Sequence, residues 1–223
     1  MTFLITLFCT VLAVCILREP IKRVPWLFYL LAVALVVLYF AAGSIGLPQF
    51  AQMAMLTLMR KCMLPFALFV FVMYVGVLPK GSAARKLVQP LRAPVSIVAC
   101  ILVLVHMVQY FMVYAPKVVS GVPVAGNVMA SFVIAIALFA LLAVLGVTSF
   151  DFVKGRMSTK AWRRVQQFAY LFYALTYVHL MVMLAPSAAR GSAAAIEGVV
   201  VYTVVFGAYL VLRLMRAKTD KAD

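Results

Sequence analysis

The sequence predicts an all-α integral membrane protein, a bundle of about seven (six or seven) transmembrane helices with its N-terminus outside and its C-terminus cytoplasmic. Apolar residues make up 67% of the 223-residue chain, and only 11% of the residues are charged. A water-soluble domain carries about 25% charged residues and could not bury this much apolar surface. The apolar windows are continuous and do not alternate, which favours helices over a transmembrane β-barrel.

Seven apolar windows divide the chain, separated by proline, glycine and basic residues. A helix that crosses a hydrocarbon core of ~30 Å needs about 20 residues, and several windows approach that length. No positive residues precede the first window, so we interpret it as a retained anchor and not as a cleaved signal. A single transmembrane domain is expected over residues 1–223, with helices at about 2–17, 26–42, 62–79, 95–114, 128–147, 168–185 and 198–214.

The distribution of basic residues predicts the orientation. If the windows cross the membrane alternately, most of the 20 basic residues fall on one side, in three loops and the C-terminal tail. Cytoplasmic loops are enriched in Lys and Arg, so this side is expected to be the cytoplasmic side of the cell inner membrane, in contact with anionic lipid. A basic surface with interleaved aromatic residues does not remain, and a nucleic-acid partner is therefore not expected.

Two histidines, His106 and His179, fall near the middle of apolar windows. Each lies about twelve residues past the predicted cytoplasmic start of its helix, and at ~1.5 Å per residue the two imidazoles are expected at similar depth. An ionisable side chain at that depth is costly and indicates a function. Two imidazoles from neighbouring helices, without Cys, Asp or Glu nearby, fit the axial ligation of a haem iron better than a zinc site.

A purely structural role is the alternative for each histidine. A neutral imidazole in a membrane helix can be satisfied by a hydrogen bond to a backbone carbonyl or to a hydroxyl of Tyr110, Tyr173 or Tyr177. For one histidine alone the two interpretations carry equal weight. The matched depth of the pair favours a shared ligand role.

Several stretches resemble the ferric-reductase-like transmembrane domain family. Thr148–Asp151 reads TSFD and Trp162–Leu171 reads WRRVQQFAYL, followed by His179. Within the family these stretches are most similar to the haem-binding membrane subunit of the periplasmic methionine sulfoxide reductase system, the MsrQ-like group. Met55–Pro79, Arg85–Arg92 and the helix that bears His106 resemble the two preceding helices of the family. The resemblance covers about residues 50–185, flanked by extra helices at 2–17, 26–42 and 198–214.

The resemblance implies a haem b membrane subunit. Such a subunit carries electrons from a cytoplasmic flavin reductase or another flavoprotein across the membrane to a periplasmic or extracellular reductase. One haem b per chain would be ligated by His106 and His179, without a catalytic residue of the chain's own. FMN or FAD, supplied by or shared with the partner, would be a further cofactor.

One departure from the family pattern argues against a second haem. Family members with two stacked haems use two histidines on each of two helices, but Gln166 stands where the first histidine of the later helix belongs, thirteen residues before His179. Arg92 or Ala93 occupies the corresponding place on the earlier helix. We interpret Gln166 as an interfacial polar residue and expect one haem.

Other charged residues have weaker assignments. Arg60 and Lys61 break the positive-inside pattern at the outer end of the third predicted helix, where they could pair with haem propionates or extend to the interface. Arg92, Arg163 and Arg164 could face a flavoprotein or a flavin phosphate. The GxGxxG fingerprint of a nucleotide-binding domain does not occur in the sequence. The chain is therefore expected to take its electrons from a partner.

Three alternative functions stay open at this point. A quinone-reactive cytochrome b is chemically close, and the sequence allows a quinone at either face. A non-redox structural membrane anchor would leave the matched depth of the histidines as a coincidence. A transporter subunit is less favoured because Asp151 and Glu197 sit at predicted helix ends and not in the middle of the membrane.

Overall fold

The computed structural model describes the backbone of residues 2–222 and the side chains of residues 2–219, and every regular element in this range is helical. A π-helical turn, Leu56–Arg60, follows the fourth α-helix, and a 3-10 turn, Gln89–Leu91, follows the sixth. The α-helices are α1 (Thr2–Ile16), α2 (Arg18–Arg23), α3 (Pro25–Ile45), α4 (Gln49–Met55), α5 (Met63–Val75), α6 (Ala83–Val88), α7 (Arg92–Val119), α8 (Gly126–Val147), α9 (Asp151–Lys154), α10 (Thr159–Ala189) and α11 (Ala193–Ala222).

The predicted all-α membrane fold is confirmed, with five or six helices that could span a membrane. Gln49–Arg60 and Met63–Val75 form a pair bent by 43°, which makes a sixth span if the pair crosses as one unit. At 15 residues, α1 is shorter than the ~20 residues that a perpendicular crossing requires. The five long segments are Pro25–Ile45, Ala83–Val119, Gly126–Val147, Thr159–Ala189 and Ala193–Thr219.

Local signals in the sequence explain most helix boundaries. Pro25 occupies the first turn of α3, where its missing N–H leaves no hydrogen bond unmade. Gly46 ends the same helix at φ 68°, in the left-handed region that glycine adopts without strain. Ser158 caps α10, because its Oγ accepts a hydrogen bond from the backbone N–H of Ala161 at 3.2 Å.

The region before α5 differs from the prediction of a helix over 62–79. Residues 49–60 are also helical, and the chain breaks at Cys62, which has φ 61°. Pro65 explains the position of the break. In an uninterrupted helix its ring would clash with the carbonyl of Lys61, four residues earlier, whereas in the first turn of α5 it is tolerated. The predicted helix therefore forms the second half of a bent pair.

The chain divides into two compact units, of which the first contains the residues up to Gln109 together with those from Val211 onward. In this unit α1 packs against α5, and the rings of Phe3 and Phe66 lie 5.1 Å apart. Ala67 and Ala99 are fully buried. Small side chains at such positions let membrane helices approach closely.

The second unit comprises Tyr110–Leu210, and its main packing is between α8 and α10. Tyr173 of α10 is buried against Phe206 and Tyr209 of α11, with ring centroids 4.3 Å and 4.8 Å away. Large aliphatic side chains such as Val204 and Leu210 are more than half exposed. Exposed aliphatic surface of this kind suits contact with lipid.

Candidate functional site

His106 lies midway along α7, on a stretch whose neighbours Leu102 and Val105 are buried in the first unit. Its Nδ1 lies 2.7 Å from the backbone carbonyl oxygen of Arg60. A carbonyl oxygen can only accept a hydrogen bond, so Nδ1 carries the proton and donates it. In a neutral imidazole the lone pair is then on Nε2.

His179 lies within α10, and Ser131 of α8 is its partner in the second unit. The Nδ1 of His179 lies 3.2 Å from the Ser131 carbonyl oxygen and 3.0 Å from the Ser131 Oγ. Donation to the carbonyl needs a protonated Nδ1, whereas the Ser131 hydroxyl can either accept from Nδ1 or donate to it. Ser131 is only 4% exposed, so this contact is made inside the helix packing.

The two histidines share an arrangement that fits a haem ligand. In each, Nδ1 lies within hydrogen-bond distance of a backbone carbonyl of another helical segment, and donation to that carbonyl leaves the lone pair on Nε2. Metal-ligating histidines usually donate their other N–H to a carbonyl or carboxylate in this way, which fixes the tautomer and the ring orientation. The same bond is also expected if the histidines are purely structural, because a neutral imidazole in a membrane helix can donate to a backbone carbonyl. The two interpretations differ at Nε2, which binds iron only if the histidines are haem ligands.

Among the described residues, the histidines do not belong to a metal site built entirely from protein side chains. Across the part of the chain that the structure describes, no group of three or more His, Cys, Asp or Glu side chains could hold a metal ion. A haem would need at most two side-chain ligands from the protein, since the porphyrin supplies four ligands of its own. His106 belongs to the first compact unit and His179 to the second.

Arg60 and Lys61 lie at the break of the bent pair. The side chain of Arg60 is half-buried and that of Lys61 is exposed. The contact between Arg60 and His106 is made by the Arg60 backbone carbonyl. It could not be predicted from the charge of the Arg60 side chain. Ser131 did have a signal in the sequence, because it is a polar residue inside an apolar window.

Gln166 belongs to a polar cluster that joins the end of α8 to α10. Its Nε2 donates a hydrogen bond to Thr148 Oγ1 at 3.0 Å. The indole Nε1–H of Trp162 donates to the Thr148 carbonyl at 2.9 Å, and Thr148 Oγ1 donates to the Val144 carbonyl at 2.7 Å. These bonds connect Gln166 to the end of α8.

An open groove of about 450 Å³ lies beside this cluster. Of the three arginines predicted to face a flavoprotein, Arg163 lines it. Lys154 lies above the Trp162 ring, with its Nζ 5.1 Å from the ring centroid. The complete lining is Asp151, Lys154, Gly155, Met157, Thr159, Trp162 and Arg163.

Comparison with known proteins identifies the family. Residues 45–177 match the family described as ferric reductase like transmembrane component. The match contains His106 and ends two residues before His179. The chain is also 35% identical over 225 residues to an uncharacterized protein of Treponema pallidum (strain Nichols), with 97% of this chain and 61% of the relative covered.

The chain thus spans about three fifths of that relative's length. No solved structure matches it. The family match covers more than half of the sequence, including α5, α7 and α8. The protein is a multi-pass membrane protein and belongs to the family of ferric reductase like transmembrane components.

Proposed function

We propose that this protein is the haem b-binding subunit of an electron-transfer system in the cell inner membrane, in which His106 and His179 would hold one haem. Family membership supports a membrane electron-transfer component. The observation that carries the finer proposal is the shared geometry of the histidines, each inside a long apolar helix and each with Nδ1 at hydrogen-bond distance from a carbonyl of another helical segment. When bound, haem supplies one-electron transfer between ferric and ferrous iron.

The hydrogen bonds prepare the imidazoles for this role. Donation from Nδ1 fixes which ring nitrogen carries the lone pair and holds the ring plane, so little freedom is lost when Nε2 binds iron. The bond also shifts electron density into the ring and makes Nε2 a more basic ligand. An isoleucine or leucine at either position would pack in an apolar helix without the desolvation penalty of an imidazole.

The charge distribution supports the proposed direction of transfer. The basic segments 18–23, 80–92 and 154–164 would face the cytoplasm under the positive-inside rule. There they would attract a flavin reductase or another flavoprotein with an acidic surface, and such steering accelerates association. The acceptor would be a reductase beyond the opposite face. The TSFD and WRRVQQFAYL stretches support a relationship to the MsrQ-like group within the family.

Inverted membrane vesicles from cells that express the protein test the proposed electron path. In these vesicles the cytoplasmic face is outward, so added NADH and a soluble flavin reductase are expected to produce the reduced b-type α band. Spheroplasts, which expose the opposite face, should show no reduction by the same impermeant reductase. Vesicles that contain the His106→Ala variant are the matched control and should show no reduced α band.

Two results of the vesicle experiment would contradict the proposal. Reduction by a soluble quinol but not by the flavin reductase would favour a quinone-reactive cytochrome b. Reduction from the spheroplast side alone would reverse the predicted orientation of the chain.

A further inference from the structure

We infer that the break between α4 and α5 is a positioning device for His106. The break turns the Arg60 carbonyl out of the helical hydrogen-bond ladder, and that carbonyl holds the His106 imidazole in the tautomer and orientation of an iron ligand. Arg60 is therefore a positioning residue, and it acts through its backbone and not through its charge. The inference rests on the proposed function for its consequence at the iron, but its structural part can be tested without haem.

The local sequence explains why the helix breaks at this point. Pro65 has no backbone N–H, and its ring excludes an uninterrupted helix through Lys61. Pro65 is also fully buried, so it is held by the surrounding packing. Before the break, Leu56–Arg60 widens into a π-helical turn, a distortion that is often found at functional sites.

The backbone hydrogen bonds around the break show how the ladder is interrupted. The N–H of Lys61 donates to Leu56 at 3.0 Å, and the N–H of Cys62 donates to Met59 at 3.0 Å. In an uninterrupted α-helix the carbonyl of Arg60 would accept from the N–H of residue 64. Leu64 lies instead in the first turn of α5, a separate helix.

The His106 imidazole and the Arg60 carbonyl at the break are hydrogen-bond partners for each other. At 2.7 Å, His106 Nδ1 supplies a donor to the Arg60 carbonyl. In an apolar environment an unsatisfied carbonyl costs several kcal/mol, so irregular backbone persists there only with such partners. The imidazole in turn receives a strong acceptor at a fixed position.

His179 provides an internal comparison. Its carbonyl partner, Ser131, lies inside the unbroken helix α8, where the carbonyl also faces a ladder donor four residues on. The corresponding Nδ1···O distance is 3.2 Å, against 2.7 Å for His106. The shorter bond is formed by the carbonyl that the break redirects.

Three variants test whether the break itself orients His106. Pro65→Ala restores an N–H and removes the clash, so the helix can continue and Leu64 can compete for the Arg60 carbonyl. Cys62→Gly is the matched control, because glycine adopts φ 61° without strain and the break is retained. Cys62→Val is a second test, because a β-branched residue is strained in the left-handed region.

The first measurement is the tautomer of His106 in ¹⁵N-histidine NMR spectra of the full chain, prepared under porphyrin limitation. The chain has two histidines, and a His179→Gln sample assigns their signals. His106 in the unmodified chain and in Cys62→Gly is expected to carry the proton on Nδ1. In Pro65→Ala and Cys62→Val the Nε2–H form should appear.

The second measurement is made on the haem-loaded protein. Loss of the partner of a ligating histidine weakens binding by roughly 10- to 100-fold, so the haem dissociation constant of Pro65→Ala should rise by that factor. A less basic ligand stabilises ferric iron less, and the midpoint potential should therefore shift in the positive direction. Cys62→Gly should match the unmodified protein in both quantities.

The inference is overturned if Pro65→Ala and Cys62→Val keep the Nδ1–H tautomer of His106 and the original potential. If one of them does not accumulate, the other decides. If the unmodified chain takes up no haem while the tautomer responds as expected, the proposed function fails and the positioning role of the break stands.

Discussion

Replacement of either His106 or His179 by alanine is expected to abolish the b-type spectrum of the purified protein. Each variant removes one of the two proposed protein ligands of the iron. The loss of affinity should exceed the roughly 10- to 100-fold effect of removing a ligand's hydrogen-bond partner. Haem per chain, measured from the dithionite-reduced absorbance, reports the result directly.

Gln166→Ala is the matched control for these two variants. It removes a polar residue from the same helix as His179, together with a hydrogen bond to Thr148 that contributes about 0.5–1.5 kcal/mol. The haem content should be unchanged. A haem-free Gln166→Ala variant beside a haem-loaded His179→Ala variant would show that the assignment of the ligand on α10 is wrong.

Leu91→Ala is expected to be among the most destabilising single substitutions in the first unit. Leu91 is completely buried in the 3-10 turn before α7, and α2 packs against this turn. Truncation would leave a cavity beside Ile21 and Val95, which belong to the same core cluster. Large-to-small substitutions of this kind cost about 2–5 kcal/mol. Thermal unfolding in detergent should show a lower Tm.

Leu87→Ala tests whether this effect depends on burial. Leu87 lies one turn earlier, in α6, and is 40% exposed. Its truncation should change the free energy of unfolding by only about 0.5 kcal/mol. Equal losses of stability in the two variants would contradict the packing described around Leu91.

The membrane fold could be predicted from composition because the physical requirement is simple. About 20 apolar residues in a row have few uses other than crossing a bilayer, and the helices around 26–42, 128–147 and 198–214 form where the windows predict them. Residues 49–60 were missed. Gly43, Gly46 and Pro48 indicated a loop, and two glutamines interrupt the apolar pattern that follows.

The sequence predicts the histidine side chains of the candidate site but not their backbone partners. His106 and His179 stand out because ionisable residues are rare in apolar windows. The Arg60 carbonyl could not be recognised, because every residue carries a carbonyl and only the fold decides which one leaves the ladder. The bend at Pro65 was missed because no helix was predicted immediately before residue 62, which placed the proline in the first turn of its predicted helix, where it is tolerated. Joint ligation of one haem by both histidines stays a prediction.

The haem content of the unmodified protein decides whether His106 and His179 serve as iron ligands. The chain should be purified from cells with ample porphyrin supply, and its haem measured against its protein concentration. We expect about one haem b per chain, with sharp reduced α and Soret bands and the low-spin signature of two imidazole ligands. A colourless protein that is folded and in the membrane would contradict it.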